Sequence, residues 1–94
     1  MDWRDHGYVV ASSYRLKVVR ALSPHPKTPK QISTETQIDL THVSRVFREL
    51  SARGLVHCVN PQDVKGRVYS LTDKGKELAS IVEKDDSLAD GSVS

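Results

Sequence analysis

The segment from Asp39 to Val56 restricts the fold most, because it predicts a single amphipathic helix with recognisable ends. Apolar residues recur in it at spacings of three and four, as they do on a helix that lies against a core. They are Leu40, Val43, Val46, Phe47 and Leu50. Asp39 is placed to cap the first amide groups, and Gly54 can adopt the left-handed conformation that ends a helix. The sequence therefore predicts a helix over residues 40–53 with one buried face.

The opposite face of this helix is polar and cationic, with its polar groups toward the amino end. It consists of Thr41, His42, Ser44, Arg45 and Arg48. A helix that exposes such a face suits the major groove of double-stranded DNA. Arg45 is the foremost candidate, because its guanidinium matches O6 and N7 of guanine. The alternative is a surface ion pair between Arg45 and Glu49, one turn further on.

The remaining candidates on this face are less specific. We expect Thr41, His42 and Ser44 to contact either a phosphate or a base edge, and the sequence leaves both possibilities open. Arg48 lies one turn further along the helix, where it either reaches phosphate or only solvates the surface.

A helical pattern also covers residues 13–22, with Ser12 or Ser13 as its cap. Residues 8–11 either extend this helix or form a short extended arm, and we favour the helix. The two prolines within residues 23–27 exclude a helix there, because proline fixes an extended backbone before it.

A short helix should then begin at Pro29, with Thr28 as its cap, and end at about Glu35 or Thr36. Its short link to the helix over 40–53 is typical of a helix-turn-helix, in which the second helix carries the exposed polar face.

Beyond this helix the spacing of apolar residues changes to two, which predicts strands over 55–59 and 67–71. The hairpin has a basic tip at Lys65 and Arg67, and such a hairpin after a helix-turn-helix is a wing, here over residues 60–67. Its two cations would contact the minor groove or the DNA backbone. The alternative is a solubilising edge that blocks strand pairing.

Thr72 is expected to cap a last helix from Asp73 to about Lys84. Residues 85–94 are rich in Asp and Ser, have little to bury, and are expected to be disordered. The sequence therefore predicts one folded domain over 1–84 and an acidic tail over 85–94.

The charge is distributed unevenly along the chain. Up to residue 69 there are 11 Lys and Arg against 6 Asp and Glu, and from residue 70 there are 3 against 6. A basic body suits a polyanionic partner. The apolar fraction of 37% in 94 residues implies a thin core, so we expect a homodimer in which terminal apolar side chains meet. These are Trp3, Tyr8, Leu78, Ile81 and Val82.

The composition argues against several other classes. A single cysteine, Cys58, excludes an intramolecular disulfide and fits a reducing cytoplasm, and no apolar run has membrane-spanning length. The histidines show no metal-ligand spacing, so neither a metal nor a cofactor is expected. Because the sequence has no nucleophile turn and no phosphate-loop spacing, we expect no enzymatic activity and no catalytic residue. No pocket for an effector ligand is visible in the sequence.

Residues 13–22, 41–50 and 66–75 resemble the opening helix, recognition helix and wing exit of ArsR-like and MarR-like repressors. With Pro-Lys-Thr-Pro-Lys at 26–30, the chain looks like a small archaeal regulator of this kind. The resemblance implies an α+β winged helix-turn-helix fold with a three-helix core, a two-stranded β-wing and a C-terminal helix.

The resemblance also implies a transcriptional regulator that binds double-stranded DNA as a homodimer, with the seven candidate residues facing the duplex. The metal-sensing ArsR branch carries a paired-cysteine motif that this chain lacks, which excludes metal sensing by that route. The alternative function is a winged-helix protein-interaction module within a larger assembly, because this fold also serves as a docking unit. A docking module would more often expose apolar residues where this chain has Arg45, Arg48, Lys65 and Arg67.

Overall fold

The computed structural model describes residues 3–82 of the chain. Within that range the helices are α1 (Trp3–Val10), α2 (Ser13–Leu22), α3 (Pro29–Thr36) and α4 (Leu40–Ala52), followed by strands β1 (Val56–Cys58) and β2 (Tyr69–Leu71). A last helix, α5, occupies residues 73–82. The predicted disordered tail over 85–94 and the predicted helix end near Lys84 lie outside the described residues.

The helix starts follow the capping residues in the sequence. The Ser12 hydroxyl accepts a hydrogen bond from the Arg15 amide, and the Asp39 carboxylate accepts one from the Thr41 amide. Thr28 forms a reciprocal capping box with Gln31 at the start of α3. Each cap satisfies amide donors that the helix itself leaves unpaired.

The end of α4 agrees with the sequence prediction, whereas the chain before α2 differs from it. Gly54 has a φ of 72°, so a left-handed residue does follow α4 as predicted. Residues 8–11 were expected to extend the next helix or to form an arm, but Val10 ends a separate helix, α1. The chain breaks at Ala11 and Ser12, and Ser12 is free to cap α2 because it lies outside both helices.

Strands β1 and β2 pair antiparallel, with Val56 opposite Leu71 and Cys58 opposite Tyr69. They are shorter than the predicted 55–59 and 67–71. Lys27 forms an additional single bridge to Tyr69, through two backbone hydrogen bonds of 3.0 and 2.9 Å. The proline-containing link before α3 is therefore tied to the edge of the hairpin, a connection that hydrophobic spacing does not reveal.

One continuous core joins all five described helices and the hairpin. Its buried apolar residues are Val9, Val18, Val19, Leu22, Ile32, Ile38, Val43, Val46, Phe47, Leu50, Leu55, Val56, Leu71, Leu78, Ala79 and Val82. The architecture confirms the predicted α+β winged helix, with α2, α3 and α4 as the three-helix core and the β1–β2 hairpin as the wing.

The structure corrects the predicted position of three apolar residues. Leu78 and Val82 are only 1% and 2% exposed, so they belong to the core of a single chain and not to a dimer contact. Leu40, expected in the buried stripe of α4, is 45% exposed, because it lines an open hollow shared with residues of the wing instead of packing into the core.

Candidate nucleic-acid interface

The outward side of α4 exposes a polar and cationic surface. Thr41, Ser44, Arg45 and Arg48 are exposed, and His42 is half-buried at one edge. Val43, Val46, Phe47 and Leu50 anchor the opposite side in the core. Because the apolar stripe fixes the rotation of the helix, the four exposed candidates are presented outward together.

Arg45 does not form the surface ion pair with Glu49 that the sequence offered as an alternative. Its Nη2 lies 3.3 Å from Nδ1 of His42, one turn back on the same helix. The Glu49 carboxylate turns to the other side, where Oε1 lies 3.4 Å from Nε of Arg15 in α2. The carboxylate nearest in sequence is thus directed away from the cationic side of α4.

Tyr14, at the start of α2, is a neighbour of this surface that sequence reasoning missed. Its ring centroid lies 5.3 Å from that of His42, at a tilt of 47°. Tyr14 is on a different helix, so no spacing within α4 could have indicated the contact. The Tyr14 ring packs beside His42, and His42 in turn contacts the guanidinium of Arg45. Through His42, a side chain of α2 therefore adjoins the cationic surface of α4.

Both wing cations that were predicted to contact DNA are exposed to solvent. Lys65 and Arg67 are exposed, and Nε of Arg67 donates a hydrogen bond of 2.7 Å to the backbone oxygen of Asp63. That contact holds the guanidinium of Arg67 against the loop through one of its donors.

Asn60 organises the wing loop, a role that the sequence showed only as a turn residue. Its Nδ2 donates to Oδ2 of Asp63 at 2.9 Å and to the backbone oxygen of Gly66 at 3.2 Å. Its Oδ1 accepts from the amide of Val68 at 2.7 Å. Gly66 has a φ of 68°, which favours glycine at this turn. One side chain thus closes the loop that carries the two cations.

The wing is positioned against α4 by ring stacking. Phe47 of α4 and Tyr69 of β2 stack with centroids 4.5 Å apart and planes 14° apart. Between α4 and the wing lies an open hollow of about 440 Å³, which Leu40, Ser44 and Arg67 help to line. Of the seven candidates, Ser44 of α4 and Arg67 of the wing therefore face one hollow, whereas Arg45 is exposed outside it.

Lys30 lines the same hollow and was not among the predicted residues. An adjoining hollow of about 360 Å³ brings Arg48 and Ser51 of α4 next to Pro29. The start of α3 thus contributes to the groove, which follows from its packing against α4 and not from any motif. Lys65 does not line either hollow and lies further out on the wing.

Arg53, the residue that follows α4, contacts the first helix of the chain. Its Nη1 contacts Oδ1 of the buried Asp5 at 3.0 Å, and Nζ of Lys74 contacts the other carboxylate oxygen at 2.6 Å. The hydrogen bond from Lys74, followed by that from Arg53, lowers the pKa of Asp5 below 3.8, although burial opposes the change. This network joins α1 to the end of α4 and the start of α5.

An aromatic contact strengthens the same junction. The guanidinium carbons of Arg15 and Arg53 each lie 3.7 Å from the centroid of the Tyr8 ring. Arg15 also donates to the backbone oxygen of Tyr8 at 3.0 Å. The two arginines are therefore committed to holding α1 and are not part of the outward cationic surface.

Other kinds of site find no support in the described part of the chain. Residues 3–82 contain no group of three or more His, Cys, Asp or Glu side chains that could hold a metal ion. Cys58 is half-buried on β1, and its thiol lies 3.5 Å from Oδ1 of Asn60. Among the described helices, none is both long and apolar enough to cross a membrane.

Comparison with protein families gives one match that covers most of the chain. Residues 8–80 match the family model of the O-methyltransferase dimerisation domain. The chain belongs to this family. No curated protein sequence matches the chain.

Solved structures with the same fold include transcriptional regulators. A MarR family regulator, SPO1453 from Silicibacter pomeroyi, is 18% identical with a TM-score of 0.80, over 97% of this chain and 66% of that one. NMB1585, a MarR family regulator from Neisseria meningitidis, is 24% identical with a TM-score of 0.79, over 97% and 64%.

Quinone-bound YodB from B. subtilis is 21% identical with a TM-score of 0.76, over 95% of this chain and 96% of that one. At these identities the likeness concerns the fold, and the MarR-like winged helix is confirmed. The chain spans just under two thirds of the length of each of the two MarR family regulators. The predicted ArsR relationship and archaeal origin remain predictions.

Proposed function

We propose that this chain is a sequence-specific transcriptional regulator that binds double-stranded DNA as a homodimer. The observation that carries the proposal is the outward side of α4, where Arg45 and Arg48 are exposed while the carboxylate of Glu49 is turned away to Arg15. A surface of cations and short hydroxyl side chains is complementary to the major groove, with its base-edge acceptors and flanking phosphates.

In this proposal α4 enters the major groove and the wing contacts the backbone or the minor groove. Arg45 reads a base edge, whereas Thr41, His42 and Ser44 contact bases or phosphate near the amino end of the helix. Arg48 contacts phosphate further along α4. Lys65 and Arg67 hold the flanking backbone. The protein acts in the cytoplasm, without a cofactor and without catalysis.

The first test is the salt dependence of binding to duplex DNA. If a dimer neutralises about six phosphates, the logarithm of the association constant falls with the logarithm of salt concentration at a slope of about −5. Fluorescence anisotropy with duplexes selected from a random pool measures this slope. A slope near zero, or no binding to any duplex at low salt, would contradict the proposal.

The second test separates base reading from backbone contact. Arg45→Ala should lose about 1–3 kcal/mol on a selected site and little on random duplex, because a bidentate guanine contact is sequence-dependent. Lys65→Ala should weaken binding to the selected and the random duplex equally. Lys76→Ala on α5 is the matched control, since it removes an exposed cation outside the groove. Unchanged discrimination by Arg45→Ala would refute its assigned role.

The proposed dimer contact is the exposed face of α1. Trp3 and Val10 lie seven residues apart on one side of this helix and are 66% and 44% exposed. The match to a dimerisation domain family supports a contact between copies. Since Leu78 and Val82 are buried, α1 replaces them as the contact, and the half-buried Ile81 is a lesser candidate.

Replacing both Trp3 and Val10 with Asp should halve the solution mass and weaken binding to a two-half-site duplex. The variant should keep the helical circular dichroism of the wild type, because both side chains are exposed. Light scattering at high micromolar concentration measures the mass. A monomeric wild-type protein, or a variant that remains dimeric, would overturn this contact.

The family match also favours a second candidate function, a winged-helix module that only joins protein chains. Such a module would dimerise through the same α1 face but would need no cationic groove. The two functions differ in retention on immobilised duplex DNA. Elution only at raised salt supports the regulator, whereas a dimer that passes through unretained supports the interaction module.

A further inference from the structure

Leu40 is an apolar residue in an unexpected place. It is the first residue of α4, directly after the Asp39 cap, and 45% of its surface is exposed. Val43 and Phe47, which continue the same stripe, are 0% and 3% exposed. The leucine therefore lies where the apolar stripe leaves the core, at the amino end of the helix that carries the cationic surface.

The surroundings of Leu40 are open and basic. It lines the hollow of about 440 Å³ between α4 and the wing, together with Ser44 on the next turn. The charged side chains that line this hollow are Lys30 and Arg67, and none of the described residues lining it is acidic. An apolar protein partner would have to bury these two cations without a counter-charge, which is costly. A polyanion satisfies them.

We propose that Leu40 recognises a methyl group on C5 of a pyrimidine in the DNA major groove, most simply that of thymine. This inference rests on the proposed DNA-binding function. Leucine has no hydrogen-bond donor or acceptor, so it cannot distinguish the polar patterns of base edges. The C5 methyl is the apolar feature that the major groove displays, and residues at the amino end of a recognition helix are those that reach base edges.

The assignment predicts a different kind of discrimination from that of Arg45. Arg45 selects a base through hydrogen bonds, whereas Leu40 selects a methyl group through the apolar surface that the contact removes from water. The affected base pair should differ from the one read by Arg45, because the two residues lie five positions apart on α4 and only Leu40 lines the hollow. 5-Methylcytosine carries the same methyl group and is the second possible source of this contact.

The test is a double-substitution cycle on a duplex selected from a random pool with wild-type protein. Each thymine is replaced in turn by deoxyuridine, which lacks only the methyl group, and each cytosine by 5-methylcytosine. Affinity is measured by fluorescence anisotropy for wild type, Leu40→Ala and Val64→Ala. Val64 is the matched control, because it is apolar, 86% exposed and lines the same hollow from the wing.

Wild type and Val64→Ala should each lose about fourfold in affinity at one thymine, the effect of burying one methyl group. Leu40→Ala should show no loss at that thymine. A gain at a 5-methylcytosine that disappears in Leu40→Ala would support the same contact with the methyl on cytosine.

Two results would overturn the proposal while leaving DNA binding intact. One is wild-type binding that no methyl substitution changes, and the other is an equal methyl effect in wild type and Leu40→Ala. Failure to bind any duplex would instead refute the proposed function, and this inference with it.

Discussion

Replacing Gly75 with Ala tests how closely α5 packs on the hairpin. Helix propensity alone predicts that Gly→Ala stabilises a helix by about 1 kcal/mol. The structure predicts the opposite sign, because a Cβ at Gly75 would collide with the backbone carbonyl oxygen of Leu55 and would also lie 3.3 Å from Cβ of Leu71. A backbone carbonyl in the core cannot rotate away as a flexible side chain can, so α5 must shift from its site.

Overpacking of this kind costs about 3 kcal/mol at the upper end of its usual range. Subtracting the gain in helix propensity leaves a net loss of about 2 kcal/mol. For a domain of this size that corresponds to a fall of about 8–16 °C in melting temperature. Urea and thermal unfolding followed by circular dichroism, at equal protein concentrations, measure the loss.

Ser80→Ala is the matched control for this substitution. It introduces the same residue into the same helix at an exposed position, so its free energy of unfolding should stay within about 0.5 kcal/mol of wild type. A Gly75→Ala protein as stable as wild type, or more stable, would refute the close approach of α5 to the Leu55 carbonyl.

The buried charges of Asp5 and Lys27 give further predictions, and urea unfolding measures the free energy of unfolding in each case. Asp5→Asn should cost about 1 kcal/mol at pH 7, because Arg53 and Lys74 are 37% and 46% exposed and recover hydration. The folded-state pKa of Asp5 lies below 3.8, so this stabilisation is present above pH 3.8 and is lost as pH falls through the folded-state pKa. The difference between the two proteins should therefore disappear in acid, and a difference that persists there would contradict the ionic origin. Glu35→Gln should cost about 1–3 kcal/mol, because it removes the carboxylate from the buried Lys27 ammonium, 2.8 Å away. Lys27→Met should stay within about 1 kcal/mol of wild type, since an apolar replacement leaves no buried charge; equal losses in the two variants would refute this reasoning.

Much of the fold could be predicted because short-range chemistry determines it. The caps at Ser12, Thr28 and Asp39 act within three residues, and the left-handed glycine after α4 acts at one position. Such features depend on neighbours in sequence and not on the tertiary fold. Helix order follows from them, whereas the hairpin follows from the change of apolar spacing to two.

The errors concern residues whose surroundings depend on distant parts of the chain. Leu40 continues the apolar spacing of its helix, but spacing cannot show that this position opens onto a hollow beside the wing. Val82 looked like a surplus apolar residue near a terminus, whereas α5 packs it into the core. Periodicity identifies which residues share a face, and only the packing of elements shows how far that face is covered.

In the candidate interface, too, some features follow from neighbouring residues and others depend on tertiary packing. The outward position of Arg45 follows from periodicity within α4, but its contact with His42 and the ring of Tyr14 beside it depend on how α2 packs. The contact of Arg53 likewise depends on the tertiary fold, because its partner Asp5 is 48 residues away in sequence. The partners of long side chains with several donors, such as arginine, are the hardest to predict from neighbouring residues in the sequence.

The junction around Tyr8 connects the two parts of the proposed function. α1 carries the proposed dimer contact, and its Asp5 carboxylate and Tyr8 ring are both held by Arg53 at the end of α4. A two-fold dimer must place its recognition helices about 34 Å apart to reach successive major grooves. Because α1 is fixed directly to α4 in the same chain, the geometry of the dimer contact is transmitted to the recognition helix without a flexible connection. Substitutions at Arg53 should therefore alter the preferred spacing between half-sites even though its side chain lies outside the groove.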